Sequence, residues 1–272
     1  GIDRWKPVLV DLLDELLAPR GIYERNDVPV REREGLDLRA GYLRGSFDPR
    51  VTIRENGLPL TVDVARGHKT GHFLDQRENR AAIRAFVRGA RVLDVFCHNG
   101  AFTCHALAYG AREVVAVDIN PDALALAREN ASRLLAGPVG RTPGATGTVQ
   151  FVQDNAFDFL RARADAGDRF DVILLDPPAF AKNRASLPGA YRGYKEINLR
   201  AMKLLPRGGI LVTCSCSYAM RPHLFEQMLA DAARDTGRRL RLIERRGAAR
   251  DHPVMFGADE SQYLKCYILE VL

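Results

Sequence analysis

Apolar positions divide the chain into two regions of different rhythm. In residues 1–20, Val8, Leu9, Leu12, Leu13, Leu16 and Leu17 recur at helical spacing and Pro19 ends the pattern. This predicts one amphipathic helix. Residues 21–66 switch to short β-type runs: Ile22-Tyr23, Val28-Pro29-Val30, Val51-Thr52-Ile53 and Leu60-Thr61-Val62. Asn56-Gly57, between the last two, has the chemistry of a hairpin turn. Beyond residue 80 strands and helices alternate. Helix 79–88 leads into strand 91–96, then helix 101–109, strand 114–118, helix 121–135, strand 149–153 and helix 155–166. Strand 171–175, helix 193–205, strand 209–215, helix 222–235 and strands 240–245 and 263–271 complete the series. Residues 136–147, rich in Gly and Pro, read as a surface loop. Such alternation predicts an α/β fold with a doubly wound, mostly parallel sheet behind a small β-rich unit. The division is placed at residue 78: 1–78 for the β-rich unit with its hairpin and linker, 79–272 for the α/β domain.

A sheet of this kind gives the polar residues a place, because ligands of open α/β sheets bind beyond the carboxyl ends of the strands. Asp94, Asp118, Asp154-Asn155, Asp176-Pro177-Pro178 and Thr213-Cys214-Ser215-Cys216-Ser217 fall on successive strand ends. Any one of these acids could cap a helix; five reactive tips on one edge point to a site. Asp118 stands about 20 residues after the first strand, where a carboxylate can accept both hydroxyls of a ribose. The loop after the first strand holds only Gly100, with Phe96, Cys97, His98 and Asn99 in place of further glycines. A pyrophosphate cradle is therefore not predicted, which weighs against a nucleotide-dependent oxidoreductase. The pattern suits S-adenosylmethionine, whose adenosine carries no phosphate, with Asp94 facing its cationic end. Gly67-His68-Lys69-Thr70-Gly71 lacks the spacing of a phosphate loop; it reads as a turn before a helix that Asp75 caps.

Composition narrows the class. The 272 residues are 46% hydrophobic and 27% charged, as in a globular chain. No apolar run reaches the ~18 residues of a membrane span, and no secretory leader is expected. Cys97, Cys104, Cys214, Cys216 and Cys266 form no C-x-x-C pair. Neither a disulfide framework nor a metal site is expected, and a reducing cytoplasm is the default. Net charge is +6, and of the 40 basic residues 34 are Arg and 6 are Lys. That excess suits phosphate contact and so a nucleic-acid partner, although genome composition gives the same bias. Arg184, Arg192, Tyr194 and Lys195 could line a substrate entrance; Arg238, Arg239, Arg241, Arg245, Arg246 and Arg250 form a second basic stretch, or simply a solvated face.

Two strand ends carry candidate catalytic groups. Asp176 is held by two prolines of fixed φ. Cys214 and Cys216, two apart in extended backbone, point the same way, and a thiolate there could attack an aromatic ring carbon. Asp-Pro-Pro-Ala-Phe also resembles the motif of amino-group methyltransferases, with its aromatic one residue late. A catalytically silent RNA-binding module is a further alternative.

The segments Gly67–Arg80, Val92–Gly100, Asp171–Phe180, Gly189–Asn198, Gly208–Ser217 and Asp251-His252-Pro253-Val254 together resemble the ribosomal RNA large subunit methyltransferase I type, which forms 5-methylcytosine in 23S rRNA. The resemblance runs from about residue 20 to the C-terminus. It implies a class I, Rossmann-like methyltransferase fold with a seven-stranded sheet. It also implies a preceding PUA domain and the first part of a central domain; because the chain opens at Gly1 on a helix with little before it, it reads as a fragment. Carried over by residue, the nucleophile falls on Cys216 and Asp176 falls near the target base. Cofactor positions fall on Lys69, Gln76, Arg77, Asp94, Phe96, Asn99, Gly100, Asp118, Asp154 and Asn155, with Gly67–Arg80 closing over the site. Most RNA 5-methylcytosine enzymes place a second cysteine after Asp-x-Pro to help release product, where this chain has Pro178. The base that takes the C5 proton is thus unassigned among Asp176, His252 and water.

Overall fold

The structure, a computed structural model, describes residues 2–137, 147–181 and 183–272; most of the loop predicted at 136–147 lies outside the described residues. The chain divides into two units, Gly1–Ile53 with Thr61–Phe73, and Arg54–Leu60 with Leu74–Leu272.

In the first unit, α1 (Lys6–Leu17) carries a proline in its first turn, where a missing N–H costs nothing. Its apolar residues are mostly uncovered: Val10 is buried, but Leu16 and Leu17 are 75% and 69% exposed. β1 (Gly21–Asn26) pairs antiparallel with β2 (Arg39–Gly45), Gly21 opposite Gly45 and Asn26 opposite Arg39. The strand expected at Val28-Pro29-Val30 is instead the entry to a short helix, α2 (Val30–Arg33). Pro29 at φ −60° starts the turn, and Arg31 N–H bonds back to the Val28 carbonyl. Buried Arg31 then makes a forked contact to Asp3 at 3.2 and 2.7 Å. β2 went unpredicted because its positions are mostly exposed and show no apolar alternation.

β3 (Arg50–Glu55) and β4 (Leu58–Asp63) form a two-stranded sheet turned by Asn56 and Gly57, both at positive φ, 50° and 84°. The tip of this hairpin belongs to the second unit. The cause is local chemistry: Glu55 pairs with Arg80 at 2.5 and 2.8 Å, and Leu58 and Leu60 are buried.

The second unit opens with a 3-10 turn at Leu74–Gln76, α3 (Arg77–Ala82) and a second 3-10 turn at Ile83–Ala85, where one helix over 79–88 was expected. Asp75 caps no helix. The remaining elements are β5 (Arg91–Val95), α4 (Ala101–Ala108), β6 (Glu113–Asp118), α5 (Pro121–Ala136), β7 (Thr148–Gln153), α6 (Ala156–Asp165), β8 (Val172–Leu175), α7 (Leu187–Leu204), β9 (Ile210–Ser215), α8 (Pro222–Asp235), β10 (Leu240–Arg246) and β11 (Lys265–Val271). Seven strands form one sheet in the order β10-β11-β9-β8-β5-β6-β7. β9, β8, β5, β6 and β7 run parallel; β11 is antiparallel to both β9 and β10. The central strands are apolar because both faces are covered. Leu93, Val95, Val115, Val117, Ile173 and Leu175 pack in one cluster with α6, α7 and α8. Ala116 packs on the other face with Leu124 of α5.

The order of connection reverses beside β5: the chain moves outward to β6 and β7, then returns to β8 on the opposite side. That reversal opens a crevice at the carboxyl ends of β5 and β8.

Candidate active site at the carboxyl edge of the sheet

Backbone geometry beyond β5 is unusual for residues with side chains. Phe96 and His98 lie at φ 67° and 51°, a region that most residues avoid. Gly100 at φ 75° is the N-cap of α4, and a Cβ there would lie 2.9 Å from Cβ of Ala127. The folded-back loop brings His98 N–H to Asp118 Oδ2 at 2.8 Å, while Asn120 N–H reaches Oδ1 at 2.9 Å. Both carboxylate oxygens of Asp118 are thus fixed, each with a lone pair left for a ligand hydroxyl. Asp154 Oδ1 accepts from Asn155 N–H at 2.7 Å, and the Asn155 side chain caps α6 through Phe157 N–H at 2.9 Å.

These strand ends border a cavity of about 170 Å³ lined by Phe96, Val117, Asp118, Ile119, Asp154, Asn155, Ala156, Phe157, Pro178 and Phe180. Its character is apolar walls with a polar rim, as expected for a flat heterocycle joined to a diol. The Phe180 ring lies 4.6 Å from Tyr194, 5.8 Å from Phe157 and 6.3 Å from Phe96, which fixes this wall of the cavity.

On β5, Asp94 is buried and accepts from Thr103 Oγ1 at 2.6 Å. Burial, with smaller contributions from Asp176 and Asp118, pushes its carboxyl up to about 7 against the Thr103 hydrogen bond. Beyond β8, Asp176 accepts from Gln76 Nε2 at 2.8 Å, and Gln76 is held in turn by Asn79 at 2.6 Å. Burial raises Asp176 to about 6, opposed by the Arg80 cation and the Gln76 hydrogen bond. Beyond β9, the Cys216 thiol lies 3.9 Å from the Pro177 carbonyl. Burial and the Asp176 charge raise it to about 11, while Lys265 pulls the other way. Ser217 Oγ accepts from Ala181 N–H at 3.1 Å and contacts Tyr194 Oη at 2.9 Å, tying the Asp-Pro-Pro loop to the cysteine loop.

The S-adenosylmethionine-dependent methyltransferase family matches over residues 26–268. The chain belongs to this family. It is 42% identical over 273 aligned positions to ribosomal RNA large subunit methyltransferase I of Cronobacter sakazakii, and equally to those of Shigella boydii serotype 18 and Escherichia coli O157:H7. In each case the match covers 100% of this chain and 67% of the relative. Among solved structures, a Streptococcus mutans SAM-dependent methyltransferase matches with TM-score 0.80 at 20% identity, and methyltransferase SMU.776 complexed with SAH with TM-score 0.79 at 22%. Both cover 99% of this chain and 66% of their own, and they share its fold. The chain spans about two thirds of the length of these relatives.

S-adenosylmethionine is therefore the cofactor, and the methyltransferase's cavity can be compared with it. A diol-binding carboxylate fixed by two N–H groups, apolar walls and the lack of a glycine-rich phosphate cradle fit an adenosine. Phe96, Asp118, Asp154 and Asn155 line this cavity. Asn99 is buried, with its carbonyl accepting from Asn130 at 3.0 Å. Gln76 lies instead on Asp176. Arg77 pairs with Asp251 at 2.9 Å, and the cavity lining does not include it. Lys69 falls in the first unit, its ammonium 5.5 Å over the Phe73 ring.

One expectation is corrected. Tyr194 cannot stack on RNA, because it is fully buried on the inner face of α7 with Ala190, Ile197 and Ala201. Lys195 pairs with Asp235 at 2.7 Å. Within the second basic stretch Arg241 pairs with Glu270, Arg245 with Glu226 and Arg246 with Glu244, at 3.0, 2.8 and 2.6 Å. Cys214 is buried opposite Cys266 on β11, and their hydrogen bond pushes its thiol well up. His252 sits beside Asp251, 3.1 Å away.

Sequence reading missed Lys265 and Tyr263. Lys265 Nζ, buried, donates to the Ser217 and Tyr263 carbonyls at 2.7 and 2.8 Å, and burial lowers it to about 8. The signal lay in the final strand, where Lys265 opens the apolar run 266–269. Among the described residues no cluster of His, Cys, Asp or Glu is arranged to hold a metal, and no helix is long and apolar enough to cross a membrane.

Proposed function

We propose that this methyltransferase forms 5-methylcytosine in 23S rRNA, in the cytoplasm, through a covalent adduct to Cys216. The observation that supports this most is the approach of the Cys216 sulfur to the Asp176-Pro177 segment on the neighbouring strand end, beside the crevice. The names of the 42% identical relatives support ribosomal RNA as substrate.

Bound S-adenosylmethionine supplies an electrophilic methyl group on a sulfonium. Asp118 would hold the ribose hydroxyls, and Ile119, Phe157, Pro178 and Phe180 would enclose the adenine. Asp94 would face the cationic end. Cytosine C5 is a weak nucleophile, and the chain's residues answer that weakness. Asp176, raised to about 6, is available as an acid to hydrogen-bond N3 and draw density from C6. In that neutral form it no longer opposes the Cys216 thiolate. Lys265 stabilises the thiolate from the other side, and attack at C6 makes C5 electron-rich. A base within a duplex is first unstacked, at a cost of a few kcal/mol.

The test is incubation of the protein with unmodified 23S rRNA and labelled cofactor, followed by mass mapping. A label in 5-methylcytosine is the expected result; a label on an exocyclic nitrogen would overturn the proposal.

Cofactor affinity should depend on pH through Asp94. The free carboxyl titrates near 7, and a cation placed beside it lowers that value, so binding releases a proton. Affinity should then fall as pH drops below about 7, by up to about tenfold per unit, and level off above it. Asp176 and Asp118 also face Asp94, so Asp94→Asn is the control that should flatten the curve. Calorimetric titration at pH 6 and pH 8 reads this directly; equal affinities would remove Asp94 from the cation site.

A further inference from the structure

Asp75 is buried, 4% exposed, and one of its oxygens is satisfied: Tyr263 Oη donates to Oδ2 at 2.6 Å. The other, Oδ1, is one of three buried side-chain polar atoms without a hydrogen-bond partner among the described residues. A buried carboxylate oxygen left open is costly, and the surroundings show where it acts. Asp75 precedes Gln76, which holds Asp176. Its charge raises both Asp176 and Cys216. Its partner Tyr263 offers its carbonyl to Lys265, whose ammonium also holds the Ser217 carbonyl next to Cys216. Asp75, Tyr263, Lys265 and Cys216 thus form one cluster.

Stereochemistry selects a role for it. If sulfur adds to C6 from one face and the methyl group reaches C5 from the other, the C5 hydrogen is left on the sulfur face. Its acceptor must stand on the Cys216 side, away from Asp94 and Asp118. We propose that Asp75 is the base that removes the C5 proton, with Tyr263 aiming its free oxygen. This inference rests on the covalent reading above. The C5–H bond breaks, its electron pair forms the C5–C6 double bond, and the C6–S bond breaks to return the Cys216 thiolate. The proton goes to Asp75 Oδ1 and then to water, which restores the carboxylate.

Asp75→Asn keeps the shape and an oxygen for Tyr263 but cannot accept this proton. With ordinary 23S rRNA and methyl-labelled cofactor it should accumulate a labelled protein–RNA adduct, stable on a denaturing gel, with turnover reduced on the order of 10²-fold or more. Wild-type protein given RNA containing 5-fluorocytidine, which has no C5 proton to lose, serves as the reference. If the wild type traps fluorinated RNA and Asp75→Asn traps ordinary RNA, the assignment holds. If the wild type traps but Asp75→Asn releases methylated RNA at the wild-type rate, Asp75 is not the base and the covalent reading stands. If the wild type traps nothing, the covalent reading falls and this inference with it. Unchanged cofactor binding by Asp75→Asn verifies its fold. Should that variant not fold, Asp75→Ser is used in its place, and release of methylated RNA by it at the wild-type rate overturns the assignment.

Discussion

Cys216→Ala is expected to bring methyl transfer to RNA down to background, a loss on the order of 10⁴-fold or more for an enzyme deprived of its nucleophile. Cofactor affinity should stay within about twofold, because Cys216 lies on the β9 end while the adenosine cavity is lined from β5 to β8. The two readouts separate a catalytic loss from a folding loss. Cys214→Ser is the matched control: the same chemistry changes two residues away, at a thiol buried against Cys266. It should cost stability and leave transfer largely intact. Measurement is by label incorporated into 23S rRNA, with calorimetry for the cofactor. Transfer retained by Cys216→Ala would point to a direct mechanism, of the kind an amino-group methyltransferase uses, and end the covalent scheme.

The difference between those two cysteines also marks what the sequence could convey. Strand ends were legible because parallel strands covered on both faces read as apolar runs closed by a polar residue; Asp118 and Asp176 stand at such closures, Asp94 lies one residue inside the end of β5, and Asp154 follows the partly exposed edge strand β7. Alternation gives no account of what lies opposite in space. Cys214 and Cys216 share a face of the extended backbone, yet the antiparallel β11 covers the first, placing Cys266 against it, and leaves the second only partly buried. Tyr194 was misread for a similar reason. Its neighbours in sequence are Arg192 and Lys195, but helical periodicity turns it to the interior with Ala190 and Ile197. Asp75 read as a helix cap because its partner, Tyr263, is 188 residues away. Lys265 was invisible for the same cause: its ammonium serves a loop 48 residues earlier. The first unit was least legible, since β2 is mostly exposed and carries no apolar alternation.

Glu55→Ala should be the most destabilising change in the second unit. Glu55 and Arg80 are 2% and 3% exposed and meet through two hydrogen bonds, with the guanidinium 5.8 Å over the Phe102 ring. Removing Glu55 takes from the buried Arg80 the carboxylate it meets through two hydrogen bonds, a change that costs about 3–5 kcal/mol for a buried pair. At ~2–4 °C per kcal/mol for a chain of this size, the unfolding midpoint should fall on the order of 10 °C. Replacing both residues by leucine should recover much of the loss, because the desolvation penalty of both ions goes with them. The pair also reaches the catalytic groups, since the Arg80 cation lowers the Asp176 carboxyl. Without Glu55 that cation acts less opposed, so Asp176 should titrate below about 6, and the fraction available as acid at neutral pH should shrink about tenfold per unit. In the double variant the cation is gone and Asp176 should titrate higher. Opposite shifts of the pH–rate profile in Glu55→Ala and in the double variant, beside a stability loss that the double variant largely recovers, would identify the pair as an electrostatic setting for Asp176. Shifts of the same sign would confine its role to holding the hairpin tip on α3.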